Sequence, residues 1–131
     1  MNQRNQPDLL RVGLLGCGVV GSEVARLLAA NQSDFASRSG AALEITKIAV
    51  RTIKERPGID KSLFTTNAQS VVNDPDIDVI IEVMGGIDEA KDLLFTAIKN
   101  GKSVITANKA LLAKFGNELF HAADDAGVDF Y

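Results

Sequence analysis

The chain has 131 residues, 46% apolar, 24% charged and 5% aromatic, which suits one globular domain with a continuous core. Lysine and arginine number 14 against 17 acidic residues, a net charge of −3 with no basic stripe, which argues against nucleic acid as the main partner. A single cysteine, Cys17, and a single histidine exclude an internal disulfide and a zinc site built from such ligands.

Residues 1–10 open polar, without a charged-then-apolar signal pattern, and are expected to form a flexible terminus ahead of a domain spanning 11–131. The apolar run 12–21 is far shorter than the roughly 20 residues that cross a bilayer, so a soluble, cytoplasmic protein is expected. Residues 11–15 read as a buried strand ending at glycines. A helix over 19–30 follows, with Val20, Val24, Leu27 and Leu28 expected on its inner face. The polar stretch 31–40 breaks the pattern. Residues 43–50 alternate and are rich in branched side chains, a second strand, and 52–60 form a loop around Pro57 and Gly58. A weak strand is expected at Leu63 and Phe64, then a short helix over 67–73 closed by Asp74 and Pro75.

The nearly continuous apolar run 78–84 marks a central parallel strand covered on both faces. Residues 88–100 predict a helix with Ala90, Leu93, Leu94, Ala97 and Ile98 inward and Gly101 as its stop. Another strand is expected over 102–106. Asn108 can cap a helix starting at Lys109, expected to break near Gly116 and resume over 117–126. Gly127 leads into a last strand start over 128–131. Strands alternating with helices imply right-handed crossovers and an α/β doubly wound parallel sheet of order 3-2-1-4-5-6.

Gly16, Cys17, Gly18, Val19, Val20 and Gly21 match G-x-G-x-x-G between a strand and a helix, the setting of a Rossmann-type dinucleotide site. Gly16 permits the tight turn, Gly18 lets backbone approach a diphosphate, and Gly21 lets the helix pack close to the sheet. The amides and positive dipole end of the helix then face the phosphate charge. A turn serving packing alone is the plainer alternative. Cys17 reads as a small side chain filling the turn. After the second strand stands Arg51, with Lys54 and Arg56 beyond and Glu55 the one nearby acid. An arginine there suits the 2′-phosphate of NADP, whereas an acid suits NAD; NADP is favoured, with dual use the main competitor and a solvated loop of ordinary surface cations the plainer alternative.

Ligands of such sheets lie beyond the carboxyl ends of the strands. Met84, Gly85 and Gly86 place bare backbone where a dinucleotide would pass, and Thr106, Ala107, Asn108 and Lys109 end the next strand. A cation in a first helical turn is opposed by the macrodipole, so Lys109 is poorly placed as a mere surface residue. The same field would ease proton donation to a reacting oxygen; a structural or solvated lysine is the plainer alternative.

The segments GCGVVG, IIEVMGG and GKSVITANKALLA resemble, in order and spacing, the amino-terminal part of homoserine dehydrogenase, a similarity running from about Arg11 to Tyr131. The ITANKALLA segment is the more specific of the three. The resemblance implies nicotinamide-dependent interconversion of L-homoserine and L-aspartate 4-semialdehyde in the aspartate pathway to threonine and methionine. It implies that Gly16, Gly18, Val19, Val20 and Gly21 hold the diphosphate and Arg51 the adenosine ribose end. Thr106 and the neighbourhood of Met84 and Gly85 would border the nicotinamide ribose. Lys109 would contact the cofactor and handle the substrate's proton. Family members continue into a substrate and dimerisation region with acidic residues and a second lysine. The chain is therefore expected to be a fragment, inactive alone, of a parent that binds its amino-acid substrate through the missing region and forms a homo-oligomer. Rival readings are another oxidoreductase on the same sheet, a non-catalytic NADP(H)-sensing module, and a purely structural domain.

Overall fold

A computed structural model describes residues 8–30 and 41–131. The sheet is built around β1 (Asp8–Leu15), which pairs in parallel with β2 (Ala41–Ala49) on one side and β4 (Val79–Glu82) on the other. A two-residue β3 (Phe64–Thr65) extends the β2 side, and β5 (Ser103–Thr106) extends the β4 side. The order is β3-β2-β1-β4-β5. Phe130 adds a parallel bridge to Val104, so residues 129–131 start the sixth position beside β5. This is the doubly wound parallel order expected from the alternation of strands and helices.

Burial on both faces explains why β1 sits centrally. Leu14 and Leu15 are both fully buried, yet successive side chains of a strand point to opposite faces. Leu14 joins Cys17, Ala25, Ile48, Val50 and Phe64 on the face covered by α1 (Val19–Ala30). Leu15 joins the larger cluster on the other face, with Val71, Val72, Ile80, Leu93, Leu94, Ile98, Leu111 and Leu119. That face is covered by α2 (Ala68–Val72), α3 (Asp88–Lys99) and α4 (Lys109–Ala126). The chain thus changes sheet face between β1 and β4, and a crevice opens at the carboxyl ends of those two strands.

Most elements fall where the pattern places them. The stripe Ala90, Leu93, Leu94, Ala97 and Ile98 of α3 is buried throughout. Asn67 caps α2 by accepting from the Ser70 amide at 3.1 Å, and Asn108 caps α4 by accepting from the Leu111 amide at 3.0 Å. β1 starts at Asp8, inside the stretch expected to be a flexible terminus; residues 1–7 and the expected break at 31–40 lie outside the described residues. β2 begins at Ala41, and a 3-10 turn (Lys61–Leu63) takes the place of the first residue of the weak strand.

Two expectations are corrected. The helix expected to break near Gly116 runs unbroken from Lys109 to Ala126. A glycine inside a helix costs about 1 kcal/mol relative to alanine. Burial of Leu111, Leu119 and Ala123 on the same helix outweighs that, and Gly116 itself lies buried with them. On α1, Val20 and Leu27 are exposed (58% and 56%), not inward, whereas Gly21, Ala25 and Leu28 are buried. Gly21 sets this rotation: a Cβ there would stand 2.7 Å from the Gly16 carbonyl oxygen. The helix therefore presents its 21, 25, 28 row to the sheet and turns Val20 outward.

At the opposite edge of the sheet, the buried Lys102 ammonium donates to the carbonyls of Asp74 and Ile77, tying the turn before β4 to the start of β5. Burial holds the Lys102 pKa below its ordinary value, opposed by the nearby Asp74, Asp78 and Asp76. The Asp74 carboxyl is held below the usual carboxylate range, first by the Asp76 amide and then by Lys47, which lies 3.0 Å away. A depressed carboxyl pKa adds stability that is complete above about 3.8 and disappears as pH falls through the folded value. Chemical denaturation at a series of acid pH values should therefore show a decline below about pH 4 that is shallower in Asp74→Asn.

Candidate dinucleotide site

The crevice between β1 and β4 is a cleft of about 380 Å³. Its lining comes from the glycine turn (Gly16, Cys17, Gly18), the end of β2 and its loop (Val50, Arg51, Thr52, Lys54, Arg56), and the end of β4 (Val83, Met84), with Glu89 at the rim.

The three glycines of the turn answer to different demands. Gly16 has φ +97°, and a Cβ there would lie 2.8 Å from the Met84 Cα, so both conformation and contact require glycine. Gly21 is required by its contact with the Gly16 carbonyl. Gly18 has neither constraint: its φ is not positive, and a Cβ would meet nothing within 4 Å. Gly18 lines the cleft, and the space beside it is open. Residues 18–20 open α1, where the first N–H groups have no intrahelical acceptor. Gly18, Val19 and Val20 are exposed, which leaves an anion access to the helix start.

The turn is held from behind. The Cys17 carbonyl accepts from Ser22 Oγ at 3.3 Å and from Arg56 Nε at 2.9 Å. Arg56 also lies over the Phe64 ring, 5.0 Å from its centre. Cys17 itself is buried, its Sγ 3.5 Å from Ser22 Oγ, and packs as the small filling residue expected. Of the cations after β2, Arg56 is thus committed to the turn. Arg51 is 89% exposed in its side chain and lies 3.8 Å from Glu89 across the cleft mouth.

The cleft brings together Gly16, Gly18, Arg51 and Met84 among the expected site residues; Val19, Val20, Gly21, Gly85, Thr106 and Lys109 do not line it. Thr106 and Lys109 stand at the neighbouring carboxyl end, that of β5. Thr106 is buried and donates its hydroxyl to Glu82, and Asn108 donates its side-chain amide to the Gly86 carbonyl. Lys109, the first residue of α4, is exposed directly beside this tie. One residue of this group escaped the sequence reading. Glu82 is fully buried at the end of β4, and its carboxylate accepts from the amides of Met84 (3.0 Å) and Gly85 (3.2 Å). The signal was present: a lone acid interrupting the apolar run of a strand covered on both faces.

Among the described residues no group of acidic, cysteine and histidine side chains could hold a metal ion, and no helix is long and apolar enough to cross a membrane. The family model described as "Homoserine dehydrogenase, NAD binding domain" matches residues 16–131. Homoserine dehydrogenase of Corynebacterium glutamicum is 44% identical over 121 residues, covering 92% of this chain and 27% of that protein. That of Bacillus subtilis is 40% identical over 124 residues, covering 93% of this chain and 29% of that protein. The crystal structure of a homoserine dehydrogenase from Thiobacillus denitrificans superposes with a TM-score of 0.88 at 40% identity, over 95% of this chain and 29% of that one. The chain therefore spans less than a third of the length of these relatives. A strand-turn-helix glycine site at the face-switch of a parallel sheet, matched over nearly all its length, places this chain in the homoserine dehydrogenase family, as its NAD-binding domain.

Proposed function

We propose that this chain binds NADP(H) for an enzyme that interconverts L-homoserine and L-aspartate 4-semialdehyde, a step of threonine and methionine synthesis. The observation that carries the reading is Gly18, whose missing side chain serves no packing need and opens the cleft at the start of α1. When bound, the dinucleotide supplies the hydride chemistry at its nicotinamide ring. The protein's part is to hold and orient it. Gly16, Gly18, Val19, Val20 and Gly21 take the diphosphate on backbone amides at the positive end of the helix. Met84, Gly85 and Thr106 border the nicotinamide ribose, and Lys109 contacts the nicotinamide end and exchanges the proton of the substrate oxygen. Because the chain spans under a third of its relatives, the amino-acid substrate is bound by a region outside it, and the chain alone binds the dinucleotide without turnover. The parent acts in the cytoplasm as a homo-oligomer, with neither nucleic acid nor membrane as partner.

Preference for NADP rests on Arg51. Its exposed guanidinium stands at the cleft rim, and its ion pair with Glu89 at 3.8 Å is too exposed to hold it against a phosphate. Calorimetric titration should find NADP+ bound about tenfold or more tighter than NAD+, and Arg51→Ala should remove most of that gap by weakening NADP+ alone. Equal affinities in the native chain would return the site to dual use; no binding of either would remove the reading.

A further inference from the structure

We infer that Glu82 is a positioning residue for the nicotinamide half of the dinucleotide, acting through the backbone of Met84 and Gly85 and through Thr106; the inference rests on the dinucleotide reading above. Glu82 is 0% exposed, and among the described residues no salt bridge reaches it. A carboxylate buried without a cation is costly unless its lone pairs are filled by donors. Here they are: one oxygen accepts from the Met84 and Gly85 amides, the other from the Thr106 hydroxyl. The strand itself needs none of this, because β4 is paired through its backbone to β1 and β5.

What the carboxylate adds is a hold on the segment after β4. Gly85 and Gly86 both have positive φ, and neither position has neighbours that a side chain could pack against. Met84 and Ile87 on either side pack against the core, but the two glycines between them have no side chain to anchor the turn. It is gripped at its start by Glu82 and at its end by the Asn108 side-chain amide on the Gly86 carbonyl. Thr106 closes the ring: its hydroxyl donates to Glu82 and accepts from the Asn108 backbone N–H at 3.0 Å. One cycle of hydrogen bonds thus joins the ends of β4 and β5 to the start of α4, immediately before Lys109. The glycine turn and Arg51 take no part in these hydrogen bonds, although Gly16 packs against Met84 and all three line the cleft.

This separation gives the test. The 131-residue chain and its Glu82→Gln variant are titrated with NADP+ and with 2′-phospho-ADP-ribose, which keeps the diphosphate and 2′-phosphate but lacks nicotinamide. A glutamine of the same shape cannot accept from all three donors. NADP+ should bind about tenfold more weakly to the variant, while the fragment changes less than about twofold. Equal losses for both ligands would make Glu82 merely structural, and no loss for either would also overturn the inference. A native chain that binds neither ligand would overturn the dinucleotide reading and this inference with it. If circular dichroism shows Glu82→Gln unfolded, Thr106→Val serves instead, with the Met84 and Gly85 amides followed by NMR. Weaker NADP+ binding together with moved amides supports the network. Weaker binding with those amides unmoved would leave Thr106 a direct contact and refute the role of Glu82.

Discussion

Gly18→Val should abolish measurable dinucleotide binding while leaving the domain folded. A Cβ there would meet nothing within 4 Å, so the fold should tolerate a side chain at this position. Valine is a poorer residue than glycine at a helix start, which should cost up to about 1 kcal/mol of stability. The branched side chain would crowd the cleft wall that Gly18 forms, where the proposed diphosphate approaches the amides of α1. Losing that approach forfeits several charge-assisted hydrogen bonds, so affinity for NADP+ should fall at least about 100-fold. The contrast is with Gly21→Val, where the clash is with the Gly16 carbonyl and the loss appears in the melting temperature. Calorimetric titration alongside thermal melts separates the two. Binding retained by Gly18→Val would mean that the ligand does not pass over this turn.

Lys109→Met should lower kcat by about 100- to 10,000-fold in a chimera in which this chain replaces the matching region of a full-length relative. The lysine is exposed at the first position of α4, next to the Asn108 tie to Gly86. A methionine keeps the length of the side chain and removes the charge and the proton. The loss should therefore fall on turnover far more than on the affinity for NADP+, and melting should change little because Lys109 covers no core residue. Steady-state kinetics of hydride transfer checks this. A variant that keeps native kcat would reduce Lys109 to a surface cation and favour a module that senses the dinucleotide without chemistry.

Much of this was readable in the residues, and what was not has identifiable causes. The strand-turn-helix placement of GCGVVG, the inward stripe of α3 and the Asn108 cap are local patterns, and the structure keeps each of them. Apolarity alone ranks Val20 and Leu27 above Gly21 and so points the wrong face of α1 inward. A backbone contact between Gly21 and the Gly16 carbonyl, distant from any hydrophobicity pattern, sets the rotation. Intrinsic propensity alone breaks the last helix at Gly116, and the burial that overrides it is set by tertiary packing. The role of Arg56 was invisible because its partner, the Cys17 carbonyl, is 39 residues away. Glu82 is the most instructive omission. Its acid was in plain view within IIEVMGG, but its meaning depends on Thr106, 24 residues on, and on two amides that only the folded turn aims at it.

The central claim is that the backbone amides at the start of α1 receive a diphosphate. A crystal structure of the chain grown with NADP+ tests it most directly. The account predicts diphosphate oxygens at about 3 Å from amides of residues 18–20, with the adenosine end toward Arg51. Nucleotide lodged elsewhere, or a cleft at Gly18 closed over by protein side chains, would contradict it.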